Sequence, residues 1–483
     1  MTSTPTCATT DRATARNVVA LSSAAMFIGG LSLSSVNIAL PAIASDIQAT
    51  AGQSSWILLA NLLASNALMV AFGKFADLTS RRRTFIGGVV AFTLGCVLSA
   101  VATHGWVMIA GRAITGLGAA MMFATTSALI AASVPRRRIG QAMGIYFACN
   151  SAAQLLGPVV GGLLVDTVGW RWIFWGNIPI CVVIFVGAWV TLDRENRHNL
   201  AAFDVSGALL FVAMMTSFVA MLTTVSSQGL GSALALLCLG VTAALLPFFI
   251  WREKRASDPM VELSVFRDRL FTGTTATTFL SHIARFGILI LIALVYQSAH
   301  NLSPTMTGLL VLPIAIGSLL SSPLAGWLEM RRGSAWVSQC GAVLVLVAVA
   351  LCSVMIWHPS WLIVVAAGGG LVGFGGGMVL TANSSSVTKT VPVEKMGVVG
   401  SLRVMIQGTG IIAGNALALA SVTLLLPAAG KSAVYAGHTT ALPPAYREGL
   451  LDGVPITFAV FALAALGSVW MSRIAYRGYV DVS

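Results

Sequence analysis

Three arginines and one histidine occupy positions where charge is costly. Arg112, Arg285, Arg403 and His282 each lie within apolar runs long enough to sit inside a bilayer. An arginine near mid-helix costs at least ~2.5–3.5 kcal/mol on insertion scales, so each should face a cavity or a partner rather than lipid. Arg403, Gln407, Gly410 and Gly414 follow at i, i+4, i+7 and i+11 and share one helix face, and His282 and Arg285 share another at i, i+3. Two readings stand for all four cationic positions: groups that line a translocation cavity, or groups that brace the helices by bonding to carbonyls.

A second candidate is the segment GKFADLTSRRR, from Gly73 to Arg83. It sets Asp77 among Lys74, Arg81, Arg82 and Arg83 at the end of an apolar run, where a carboxylate can accept charge-assisted hydrogen bonds and answer a helix terminus. The plainer reading is a basic loop with one stray acid. A third is Gly157, Pro158, Gly161 and Gly162: two glycines one turn apart beside a proline give a kinked helix with a small-residue face, either a seal that rocks between states or a packing kink. None of the sixteen acids falls at mid-membrane, so the groups open to protonation are Asp46, Asp77 and Asp166 at helix ends and His282 within a helix. The seven cysteines form no metal or disulfide spacing, no GxxxxGK[ST] loop occurs, and no paired acids or His clusters lie within the spans. No enzyme, cofactor or metal is expected.

These side chains must be held by a membrane scaffold. Only 9% of the 483 residues are charged, against ~25% in soluble domains, while 57% are hydrophobic and the mean hydropathy is +0.88. So few charges cannot clothe a soluble protein of this size, and a bilayer is the solvent that fits. The predicted spans are fourteen: about 17–40, 53–73, 84–103, 105–133, 139–165, 169–191, 204–225, 231–251, 270–297, 302–328, 334–357, 360–383, 397–426 and 453–472. Long runs are divided at Ser226–Gly229, Asn301–Pro304 and Trp357–Ser360, each a turn signal. With both termini cytoplasmic, the inner segments carry 22 Lys and Arg and the outer ones three, a split that one missed span would destroy. Trp56, Trp106, Trp170, Trp251, Trp336, Trp357 and Trp361 fall at span ends, as an interfacial belt would. The net charge of +12 is confined to these short clusters, so nucleic acid is not expected as a partner.

The Gly73–Arg83 segment resembles the signature between the second and third helices of the major facilitator superfamily, with Ser80 where the family has a second Gly. Arg112-Ala-Ile-Thr-Gly116-Leu-Gly118 is similar to the family's buried-arginine motif, and Gly157-Pro158-Val-Val-Gly161-Gly162 to its antiporter motif. Trp170-Arg171-Trp172-Ile173-Phe174 with Asn177-Ile178-Pro179, and Asn37-Ile38-Ala39-Leu40-Pro41, look like the fourteen-span drug:proton antiporter branch. A loop from Gly326 to Gly333, containing Glu329, echoes the first signature after helix 10 rather than helix 8. The resemblance therefore implies an all-α polytopic membrane protein of the major facilitator fold. Its two six-helix bundles, 17–191 and 270–472, would be separated by an inserted pair within 192–269 and flanked by cytoplasmic ends 1–16 and 473–483.

It further implies a multi-pass protein of the inner (plasma) membrane, acting as a monomer, that exports small amphipathic compounds by alternating access in exchange for protons. Asp77 with Arg81 and Arg83 would latch the cytoplasmic side, Gly157–Gly162 would seal the outer half, and Arg112 would assist proton or substrate transfer. Ser32, Asn37, Asn61 and Gln407 are the polar cavity candidates. Many such antiporters carry an acid five residues before the Asn of the Asn-x-Ala-x-Pro motif, where this chain has Ser32. A cavity bordered by arginines without that acid should reject dications. The alternatives are an exporter of an endogenous metabolite, including an anionic one, and, more remotely, a non-transporting sensor, for which the longest loop, about 427–452, is too short.

Overall fold

The structure, a computed structural model, describes residues 12–193, 204–229, 231–256, 259–261, 263–298, 302, 304–358, 360–427, 430–431, 434 and 444–477. Among the described residues there are no strands, and fourteen helices are long and apolar enough to cross a membrane. They are α1 Arg12–Asp46, α2 Ala51–Leu78, α3 Arg81–Ala100, α4 Gly105–Ser133, α5 Ile139–Thr167, α6 Arg171–Thr191 and α7 Val205–Gln228. There follow α8 Ala233–Arg255, α9 Arg269–Ser298, α10 Pro304–Arg332, α11 Ser334–Cys352, α12 Leu362–Thr390, α13 Met396–Val422 and α14 Pro444–Ala475.

Most helices outrun the expected spans, because a helix satisfies its own backbone and can carry polar residues into the headgroup zone without unwinding. α2 thus continues through Lys74 and Asp77 to Leu78, and what looked like a basic loop is only Thr79 and Ser80. α7 stops at Gly229, whose φ of 84° is open to glycine and strained for other residues. The predicted break at 301–304 falls largely outside the described residues, as do Arg194 and Arg197. The Trp belt is visible at Trp106, Trp357 and Trp361, which are exposed. Trp170 departs from it: it is buried edge-on against Phe174 and donates to Asp46.

The even number of spans gathers Arg12, Lys74–Arg83, Arg136–Arg138, Arg252–Arg255, Arg331–Arg332 and Lys389–Lys395 at one end of the bundle, the arginine-rich end. α1–α6 form one half, where α3 packs on α4, α2 on α4 and α1 on α5; α9–α14 form the other, where α10 and α11 both pack on α12 and α9 packs on α13 and α14. The halves meet chiefly along two seams, α2 against α13 and α5 against α10, with α4 and α5 also touching α13 and α12. The remaining pair, α7 and α8, covers the first seam. α7 touches both α2 and α13, where Val219 packs between Leu63 and Ile412, while α8 packs mainly on α7. Asp204 ties the pair at the arginine-rich end, capping α7 through Gly207 N (2.9 Å) and pairing with Arg252 of α8 (2.9 Å). Burial raises its proton affinity, but bonds from Gly207, Ser206 and Arg252 outweigh that and hold the carboxyl below the usual range.

Candidate functional site

The first seam closes at the arginine-rich end around Asp77. In the last turn of α2 its Oδ1 accepts from Gly397 N–H (3.1 Å) and its Oδ2 from Val398 N–H (3.0 Å). These are amides of the first turn of α13, which have no acceptor within their own helix, at the positive end of its dipole. A carboxylate of one half thus caps a helix of the other. Arg81, i+4 from Asp77, lies 3.4 Å from Oδ1 and also donates to Val393 O in the turn before α13, and both side chains are buried. The crossing needs glycine on both sides: a Cβ on Gly397 would stand 2.5 Å from Gly73 O and 2.6 Å from the Asp77 carboxyl carbon, and one on Gly73 would strike Gly397 O.

The second seam repeats the device. Val134-Pro135-x-x-x-Ile139-Gly140 before α5 and Val391-Pro392-x-x-x-Met396-Gly397 before α13 have the same pattern, and each turn of three residues leads into a helix. Gly326 of α10 crosses Gly140, where a Cβ would lie 2.5 Å from Gly140 O. Glu329, 4% exposed, stands against the start of α5, its carboxyl carbon 2.7 Å from a Cβ on Gly140. It differs from Asp77 in its bonding. Its Oε1 accepts from Lys389 Nζ, Ser334 Oγ and Ser385 Oγ, each at 2.6 Å and all in its own half. Its attraction to α5 is therefore electrostatic rather than a cap.

The structure separates the other residues of the signature. Of its three arginines, Arg81 is the one that reaches Asp77. Arg82 turns to α6, donating to Trp189 O (2.7 Å) over the Trp189 ring, and Arg83 is exposed. The expected outer seal is also different: Gly157 and Gly161 pack on Ser34 and Ser35 of α1 within one half, Ser35 donates to Gly157 O (2.9 Å), a Cβ on Gly162 would meet none of the described residues within 4 Å and Pro158 is exposed. In this conformation the motif fastens α1 to α5 and joins no halves.

The buried cations do not form one cluster. Arg112, 0% exposed, lies inside the first half, with Nη1 at 3.4 Å from Ser32 Oγ and 3.5 Å from Thr115 Oγ1; Nε and Nη2 have no partner among the described residues. Ser32 therefore faces the arginine from the position where an acid was looked for. Asn61 donates to Thr115 Oγ1 and Arg112 O, and Gly116 packs on Asn61 O, so Asn61 braces α2 against α4. In the second half Arg403 leans across to the first with its guanidinium 6.0 Å from the Phe147 ring, and Gln407 Oε1, one turn on, has no partner among the described residues. His282 and Arg285 lie deeper, His282 donating from Nδ1 to Thr278 O (2.8 Å). Asn37 is exposed on α1; Asp166 is exposed at the far end of α5; and Asp46, also at that end, pairs with Arg171 (2.7 Å), so Asp46 and Asp166 lie at the end opposite Asp77 and Glu329.

Sequence reasoning singled out Asp77 and Arg81 and placed Glu329 in the loop that echoes their signature, but it did not single out Gly397, Gly140 or Lys389. The signal available was the Val-Pro-x-x-x-[Ile/Met]-Gly repeat, which marks the two helix starts that the acids face.

The profile of the Major Facilitator Superfamily matches residues 22–252 and 274–426. The Multidrug resistance protein Stp of Mycobacterium tuberculosis is 30% identical over 368 residues, 76% of this chain and 68% of that protein. The Riboflavin transporter RibZ of Clostridioides difficile is 27% identical over 398 residues, 81% of this chain and 84% of that one. Among solved structures, that of the human organic anion transporter MFSD10 (TETRAN) has a TM-score of 0.65 at 15% identity, covering 95% of this chain and 99% of its own, a likeness of fold.

Proposed function

Because the chain belongs to the Major Facilitator Superfamily, we propose that it is a secondary exporter of small amphipathic compounds, driven by protons and working by alternating access. The observation that carries this reading is the paired gate. Two repeated seams close the arginine-rich end through a helix cap at Asp77 and a buried carboxylate at Glu329, which is what an outward-facing state requires if that end is cytoplasmic. The excess of Lys and Arg there supports that orientation, and the similarity to a multidrug resistance protein supports export. Protonation of Asp77 would remove the charge that holds α13, so a proton entering from the far side would loosen the gate and favour the opposite state.

The similarity to a riboflavin transporter gives the second reading, an exporter of one endogenous compound. Everted vesicles energised with a pH gradient or a voltage alone, and offered neutral, anionic and cationic amphiphiles, separate the two. Uptake of several unrelated compounds with the pH gradient is the expected result. Uptake of one compound class favours the second reading, and uptake of none with inserted protein sinks both.

A further inference from the structure

Arg285 is 5% exposed, carries five N–H donors and makes no hydrogen bond or ion pair with any described residue. A guanidinium stays charged, and a buried charge left uncompensated is among the most costly features a membrane protein can retain. Its surroundings are built to hold it. Counting from Arg269, it lies sixteen residues along α9, ~24 Å from the arginine-rich end. Gly376 of α12 leaves room for its stem, a Cβ there lying 3.1 Å from Arg285 Cδ. His282, one turn earlier, is flanked by Gly410 of α13, and its ring stacks on Phe286, over which Arg285 is also placed at 5.1 Å. Because Nδ1 is committed to Thr278 O as a donor, Nε2 of the neutral ring offers a lone pair, and no described group uses it.

Both flanking helices, α12 and α13, are packed by α5 and α4 of the other half. The pair is therefore held against the two helices of its half that meet the other half, and from one of them, α13, Arg403 crosses to Phe147. We propose that Arg285, with His282 and Phe286, is the seat for an aromatic acid. Arg285 takes its carboxylate, sulfonate or phosphate in a two-pronged charge-assisted bond, His282 Nε2 accepts from a hydroxyl beside that group, and Phe286 covers the ring. The proposal rests on the exporter reading and narrows it from amphipathic compounds at large to those with an acidic head.

The test compares 3-hydroxy-2-naphthoate with its uncharged carboxamide, titrated against the full chain in lipid nanodiscs. The acid should bind at least about tenfold more tightly. Arg285→Gln should erase that preference, the acid falling to the level of the amide, and a single elution peak at the position of the unmodified chain shows that the variant is folded. Arg285→Lys, a point charge without the fork, should keep part of it. Equal binding of acid and amide, no binding of either, or a preference that survives Arg285→Gln would each overturn the seat. The exporter reading fails separately. Proteoliposomes that move the amide with no preference for the acid keep that reading and overturn the seat; preferential binding of the acid, with no movement of any compound, keeps the seat and overturns the exporter.

Discussion

Replacing Gly397 with valine should nearly abolish transport while leaving the chain inserted and folded. The new Cβ would fall 2.5 Å from Gly73 O, which is backbone, and 2.6 Å from the Asp77 carboxyl carbon, whose oxygens are held by Gly397 and Val398 N–H. Either α2 and α13 part, or the valine is not accommodated. Overpacking of this kind costs ~1–3 kcal/mol where the surroundings can yield. Here they yield only by opening the gate, so the cost falls on the closed state alone. Conformations of such proteins differ by a few kcal/mol, so the closed state should become a minor one and turnover should fall by about tenfold or more. A cysteine at Arg137, exposed at the arginine-rich end, should still label, and full-length protein should still elute as a single species. Normal turnover in Gly397→Val would show that the seam is not part of the cycle.

Asp77→Asn is expected to be the most damaging single change of charge. The asparagine is nearly the same size but has one acceptor in place of two, and no charge for the α13 terminus. A hydrogen bond to a charged group is worth ~1.5–3 kcal/mol. Because the side chain is only 7% exposed, little of that is lost to solvent, and a shift of about 2 kcal/mol, or ~30-fold in the gate equilibrium, follows. Glu329→Gln should be milder for the gate, since the carboxylate bonds within its own half and faces α5 only through the helix field, worth ~0.3–1 kcal/mol. It should instead lower stability, because Lys389 is left without its acid. Turnover measured in proteoliposomes at equal protein content checks the order. A larger transport loss in Glu329→Gln than in Asp77→Asn would mean that the second seam carries the gate.

The spans were legible because a bilayer leaves the chain few options: charge-free runs must cross it, and the asymmetry of Lys and Arg fixes the number of crossings. Helix ends were not, since Asp77 and Lys74 read as loop residues until their helix is seen to run on past the hydrocarbon. Asp77 and Arg81 stood out by type and spacing, yet the amides that Asp77 caps lie about 320 residues away, and no local pattern names a partner at that distance. Arg82 and Arg83 share the same charge run with Arg81 but point to α6 and to solvent, a division set by the 100° step between neighbours on a helix. The same limit applies to Gly157 and Gly161. A small-residue face announces close packing but not whether the partner is α1 of the same half or a helix of the other. Arg285 was recognisable as a costly charge, whereas its lack of a hydrogen-bond or ion-pair partner among the described residues could be learned only from the packed structure.

Alternating access requires that the two halves rock, closing one end as the other opens. Two pairs of spin labels in a chain whose seven cysteines are replaced would measure it: exposed Arg137 with Arg332 at the arginine-rich end, and exposed Val168 with Trp357 at the far end. Pulsed distance measurements on the reconstituted protein, before and after Asp77→Asn, should show the first distance lengthening as the second shortens. Two distances that stay fixed, or that change in the same direction, would contradict alternating access in this chain.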